Sequence, residues 1–209
     1  MKNIAKTIPL LLLLACGGND QEQNLVWSDE FDIDGLPDPG KWSYDVGDHG
    51  WGNNELQYYT KETLANARVE KGSLIIEAHQ DSTFSKGYTS ARLVTKGNAA
   101  WQYGYIEIKA KLPSGLGTWP AIWMLPEENK YGGWPKSGEI DIMEHVGYDQ
   151  GIVHGTVHTE AFNHMIGTQM GATRPVPTCS EEFHTYAIDW QEKKIDFYID
   201  GELYHTFVN

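Results

Sequence analysis

The 209-residue chain is 40% hydrophobic and 12% aromatic, enough apolar material for one sizeable domain and too much for a disordered or collagen-like chain. Its formal net charge of −13 argues against nucleic acid and anionic lipid surfaces as partners, since both need a basic patch, and leaves a neutral polymer untroubled. Of the two cysteines Cys16 directly follows the N-terminal leader as a candidate for lipidation, which leaves Cys179 alone, so neither an internal disulfide nor a cysteine metal site is available.

Lys2 and Lys6 precede an apolar run from Ile8 to Leu14, the pattern of a signal peptide over residues 1–15 and too short to span a bilayer as a helix. Leu13-Leu14-Ala15-Cys16 closes it and resembles the lipobox of bacterial lipoproteins, which implies acylation of Cys16 after cleavage; the alternative is an ordinary secretory signal. Either way the expected location is outside the cytoplasm, at the cell envelope or secreted. Gly17 in place of Asp implies the outer rather than the inner membrane. Cleavage removes two lysines and no acid, so the formal charge moves from −13 to −15. Residues 16–24 read as a flexible tether and residues 25–209 as a single domain.

Within that domain Pro37-Asp38-Pro39-Gly40 is a turn, and Gly50–Tyr59 is an aromatic and amide-rich loop with too little apolar periodicity for a helix. Gly72–His79 reads as a strand with Leu74, Ile76 and Ala78 on one face, and Thr89–Thr95 as another after the Lys86-Gly87 turn. Tyr105–Leu112 alternates strictly and is the clearest half-buried strand. Pro113–Pro126 leads from a loop into a strand on which Trp119 and Trp123 share a face, with Ile122 and Met124 on the other. Aromatic rings suit the apolar C–H faces of pyranose sugars, so these two with Trp134 are expected to form a stacking platform.

Gly138–His145 follows, with Glu139 and Asp141 alternating with Ile140 and Ile142. Period two puts the acids on a polar face and the isoleucines in a core. Regular alternation would hide Glu144, so a β-bulge at Ile142-Met143 is predicted to return it to the acid face. Glu139 and Glu144 then lie roughly 13 Å apart at Cα, and their side chains can lean toward the ~5–5.5 Å that a retaining glycosidase needs between carboxyl groups. Three acids this close cannot all ionise freely, and Glu144 is expected to be the one that keeps its proton. A solvated acidic strand is the plain alternative. His154 and His158 on the next strand are too far apart, at roughly 13 Å, to share a metal ion. Phe183–Trp190 and Lys194–Ile199 form a hairpin, and Asp200-Gly201 turns the chain into Glu202–Val208. No repeat, heptad or helix is evident, and many short strands with regular turns mean an all-β antiparallel sandwich.

The acid segment closely resembles the active-site signature of glycoside hydrolase family 16, in the form with one extra residue between the second and third acids that includes the laminarinases, endo-acting β-1,3-glucanases. The resemblance runs from about Trp27, in what would be the opening strand, to the last residue. It implies a jelly roll with a concave sugar-binding sheet. It further implies Glu139 as nucleophile, Glu144 as general acid and then base, and Asp141 as the group that orients and tunes Glu139. Asn54, Arg92, Trp119, Trp123, Trp134 and His158 are implied to contact substrate. No cofactor is implied for catalysis; a structural calcium near Glu30 and Gly72 is the one metal allowed. By the same resemblance the last strands are missing after Val208, from which poor stability and weak activity are expected. The partners expected are a β-glucan substrate, no nucleic acid, and a membrane only through Cys16, for a monomer. Rival readings are another specificity within the family (mixed-linkage glucan, agar or carrageenan) and a catalytically silent glucan-binding module.

Overall fold

The computed structural model describes residues 24–209; the signal peptide, Cys16 and nearly all of the tether lie outside the described residues. Fifteen short strands are described: β1 (Ser43–Asp45), β2 (Gln57–Tyr59), β3 (Ala67–Glu70), β4 (Ser73–Ile76), β5 (His79–Gln80), β6 (Tyr88–Ser90), β7 (Arg92–Val94), β8 (Gly104–Ala110), β9 (Ala121–Met124), β10 (Glu139–His145), β11 (Ile152–His158), β12 (Met170–Pro175), β13 (His184–Trp190), β14 (Lys194–Ile199) and β15 (Glu202–Val208). Two four-stranded antiparallel sheets dominate, in the orders β12-β11-β10-β9 and β15-β14-β13-β8. Alternation along each strand decides which residues meet between them. Ile140, Ile142, Met143, Val153 and Val157 come from the first sheet, and Tyr186, Ile188, Ile195, Phe197, Ile199 and Phe207 from the second. The all-β sandwich expected from the sequence is therefore the fold, and the other face of the first sheet is free to carry chemistry.

The expected hairpin is found as β13 and β14, and Asp200 and Gly201 both adopt positive φ to turn into β15. The strict alternation of 105–112 is β8, with Ile106, Ile108 and Ala110 packed on the core. Four expectations need correction. Trp27–Phe31 is not a strand: the Asp29 carboxylate accepts hydrogen bonds from Trp42 Nε1 at 2.7 Å and Lys41 Nζ at 3.0 Å, while Phe31 takes a left-handed φ of 56°. Residues 72–79 break after Ile76, because the buried Asn66 side chain donates to the Glu77 carbonyl and diverts the chain; Ile76 is left 52% exposed. Residues 89–95 split at Ala91, where the chain leaves β2 and β5 to pair with β1. Last, the loop after β11 contains one 3-10 turn, His164–Ile166.

Candidate active site

On β10 the three acids stand opposite a row of β11: Glu139 against His158, Asp141 against Thr156, and Glu144 against His154. The predicted bulge is present. Register slips between Asp141 and Glu144 against both neighbouring strands, and the extra residue is absorbed with Ile142 and Met143 both in the core, 3% and 1% exposed. Without that slip the period of two would turn Glu144 inward. The row continues across the sheet, since His154 and Thr156 also line a depression of about 230 Å³ with Gln169, Gly171, Ala172 and Thr173.

Each outer acid receives an indole N–H. Trp119 Nε1 donates to Glu144 Oε1 at 2.8 Å, and Trp134 Nε1 donates to Glu139 Oε2. β9 begins at Ala121, so Trp119 belongs to the loop before it, yet its indole meets Glu144 on the same acid face that Trp123, opposite Asp141, also occupies. That loop is docked on the end of β10: Gly147 N donates to Thr118 O at 2.9 Å, and a Cβ on Gly147 would lie 1.7 Å from the Gly115 carbonyl oxygen. Glycine is required there by the close backbone approach. Trp119 and Trp134 remain 50% and 40% exposed, so their rings can still meet a sugar while their N–H groups hold carboxylates. Ile122 and Met124 pack on the core as expected.

Trp123, opposite Asp141 in register, carries the Arg92 guanidinium 4.5 Å from its ring centroid; Trp51 flanks the same guanidinium at 4.6 Å. Asp45 pairs with Arg92 at 3.0 Å, so this arginine is neutralised and wedged between two rings. Asn54 sits exposed, at a positive φ of 56°, in the turn that also holds Trp51. His158 is buried, with Nε2 3.3 Å from Asp141 Oδ2.

Electrostatics single out the inner pair. Burial, then the charge of Asp141, pushes the Glu139 carboxyl up to about 7; the Trp134 N–H opposes this by favouring the carboxylate. Burial, then the charge of Glu144, pushes Asp141 up to about 7. Glu139 and Asp141 bring carboxyl oxygens within 4.8 Å, so a proton on one can be shared with the other and the two titrate as a pair. The two carboxyls that are raised are the ones buried against one another.

A stability consequence follows from the sign of these shifts. Both folded values lie above the ordinary ones, 4.5 and 3.8, so the folded chain holds protons the unfolded chain releases. That contribution is complete below about pH 4 and is lost as pH rises through about 7. Asp141→Asn removes a repelling charge above that range. Its melting temperature at pH 8 is expected to exceed that of the parent, by roughly 2–4 °C for each kcal/mol relieved, with the difference shrinking at pH 4. Equal melting temperatures at pH 8 would show that the pair carries no such strain.

Among the described residues, Glu139, Asp141 and His158 form the one group of acidic and histidine side chains whose atoms all lie within 4.8 Å. An indole N–H aimed at Glu139 and a proton shared within the pair suit acid–base chemistry rather than a cation. Glu30 is exposed and Gly72 occupies the β3–β4 turn.

Sequence reasoning missed His164 and Asn163. Asn163 is buried and caps the 3-10 turn, accepting from Met165 N at 3.1 Å and donating to the Thr159 and Glu160 carbonyls. The available signal was an Asn before a short turn closed by Gly167.

A family model described as Glycosyl hydrolases family 16 matches residues 49–209. A β-glucanase of Rhodothermus marinus is 56% identical over 209 residues, covering 96% of this chain and 73% of the relative. A glucan endo-1,3-β-glucosidase of Cryptopygus antarcticus is 41% identical over 208 residues, covering 97% of this chain and 75% of its own. The X-ray structure of the laminarinase from Rhodothermus marinus superposes with a TM-score of 0.87 at 60% identity, covering 88% of this chain and 74% of that one.

Proposed function

The chain belongs to glycosyl hydrolase family 16, and on that footing we propose how it works: as an endo-β-1,3-glucanase that cuts internal bonds of laminarin-like glucans by retaining double displacement. One observation carries the mechanism. Two acids sit on one strand face, each held by its own indole N–H, with a third, proton-sharing acid between them.

In this reading Glu139 is the nucleophile. It must be ionised to attack the anomeric carbon, so in the reactive form the shared proton sits on Asp141. That leaves Asp141 neutral and donating its hydrogen bond to Glu139, while His158 holds Asp141 in place. As the Glu139 oxygen bonds to the anomeric carbon, Glu144 gives its proton to the departing glycosidic oxygen. A covalent glycosyl-enzyme results. Glu144, now a carboxylate, then takes a proton from water as that water attacks the same carbon and expels Glu139. Two inversions restore the starting β configuration. Every atom in this cycle comes from substrate, water and the three acids.

The neutral glucan follows from the charge: at −13 the chain repels sulfated or carboxylated polymers at long range. Anchoring at Cys16 would hold the enzyme at the envelope, close to incoming polysaccharide. Incubation with laminarin, mixed-linkage glucan, agar and carrageenan, followed by product analysis by mass, tests the specificity. Oligosaccharides are expected first and most abundantly from laminarin. Binding without products would identify a glucan-binding module, and preferential cleavage of a galactan would assign another specificity.

A further inference from the structure

The 3-10 turn after β11 places an unassigned ring against the catalytic row. The His164 imidazole lies 4.9 Å from the Trp134 ring at an interplanar angle of 35°, and stands edge-on to His158, 5.3 Å away at 90°. Trp134 and His158 also approach each other, at 5.8 Å. Trp134 donates to Glu139, and His158 contacts Asp141. One exposed histidine thus touches both groups that hold the inner carboxyl pair.

His164 is presented by a built turn. Beyond the bonds of its own side chain, Asn163 donates its backbone N–H to Thr168 Oγ1 at 3.2 Å and accepts from Thr168 N at 3.1 Å; Gly167 closes the turn in the left-handed region at φ 70°. Buried polar bonding of this density fixes the backbone from which the ring projects. Offset and edge-on ring pairs are favourable geometries for aromatic side chains, so His164 prefers the arrangement seen.

We propose that His164 is a positioning residue of the hydrolytic site: its ring locks the Trp134 indole and the His158 imidazole in the orientations that hold Glu139 and Asp141. This rests on the roles proposed above for those two acids. The role belongs to the ring rather than to its nitrogens, because both contacts are ring to ring.

The consequence is directional. The Trp134 N–H favours the ionised form of Glu139. A loosened indole therefore leaves Glu139 protonated to higher pH, with less of the nucleophile ready. The charged and titratable groups facing Glu139 are Asp141 on its own strand and His158 on β11; changing residue 164 removes neither of them and alters only the packing that holds His158 and Trp134 in place.

The test compares His164→Gln, which removes the ring, with His164→Phe, which keeps it without its nitrogens. Met165→Ala, on the same turn with an exposed side chain, is the control. Carboxyl carbon NMR titration of Glu139 gives a readout that needs no turnover. Turnover of laminarin adds a second. His164→Gln is expected to move the Glu139 titration upward and to lower kcat about tenfold, with KM within about threefold of the parent. His164→Phe and Met165→Ala are expected to match the parent in both. If Phe behaves like Gln, the ring is not what matters and the inference is overturned. A rise in KM at unchanged kcat also overturns it, by making His164 a sugar contact. An unmoved Glu139 titration in a folded His164→Gln protein does the same. A parent inactive on every β-glucan would defeat the proposed function alone, and the NMR comparison would still decide the role of His164.

Discussion

Glu139→Ala is expected to lower turnover of laminarin by at least about ten-thousandfold, the scale of losing a covalent nucleophile, and added azide is expected to restore it as a glycosyl azide of α configuration. The geometry explains both halves. Removing the carboxylate leaves a small space at the floor of the site, bounded by the Trp134 N–H and by His158. Azide is an anion of suitable size for that space. Attacking the anomeric carbon once, where the enzyme attacks twice, it inverts the β bond. The proton donor Glu144 is untouched and stays held by Trp119 at 2.8 Å, so departure of the leaving group is still assisted. Wild-type activity in this variant, or a rescue product of β configuration, would remove Glu139 from its role.

Glu144→Ala gives the mirror-image result. Loss of the general acid is expected to cost about 100- to 10,000-fold on laminarin, whose sugar leaving group needs a proton. A dinitrophenyl glycoside needs none, so its first step proceeds near the parent rate and the covalent intermediate accumulates. Azide then attacks the glycosyl-enzyme on Glu139 and yields a β-glycosyl azide, because the configuration has been inverted twice. The two variants are therefore expected to produce azides of opposite configuration from one substrate family. Azides of the same configuration from both would refute the division of labour between Glu139 and Glu144.

Much of this site was legible because it obeys a simple period. Alternation of Glu139 and Asp141 with Ile140 and Ile142 gave the strand, and the demand that Glu144 join its companions gave the bulge, which the register against both neighbours displays. The sandwich was legible for the same reason, from β8, β13 and β14. What escaped was set by contacts remote in sequence. Nothing local shows that the Trp119 indole reaches Glu144, 25 residues on. Spacing shows that three acids crowd one another, whereas burial of Glu139 and Asp141 decides which of them are raised. His164 was invisible because its meaning lies in the stacking on Trp134, thirty positions upstream in the chain.

The central claim is a retaining double displacement run by Glu139 and Glu144, and the anomeric form of the first products tests it most directly. Proton NMR of laminarin digestion, recorded within the first minutes before mutarotation, is predicted to show new reducing ends entirely as the β anomer, with α appearing only later. New reducing ends that appear first as the α anomer would mean a single inverting displacement, and would contradict the account.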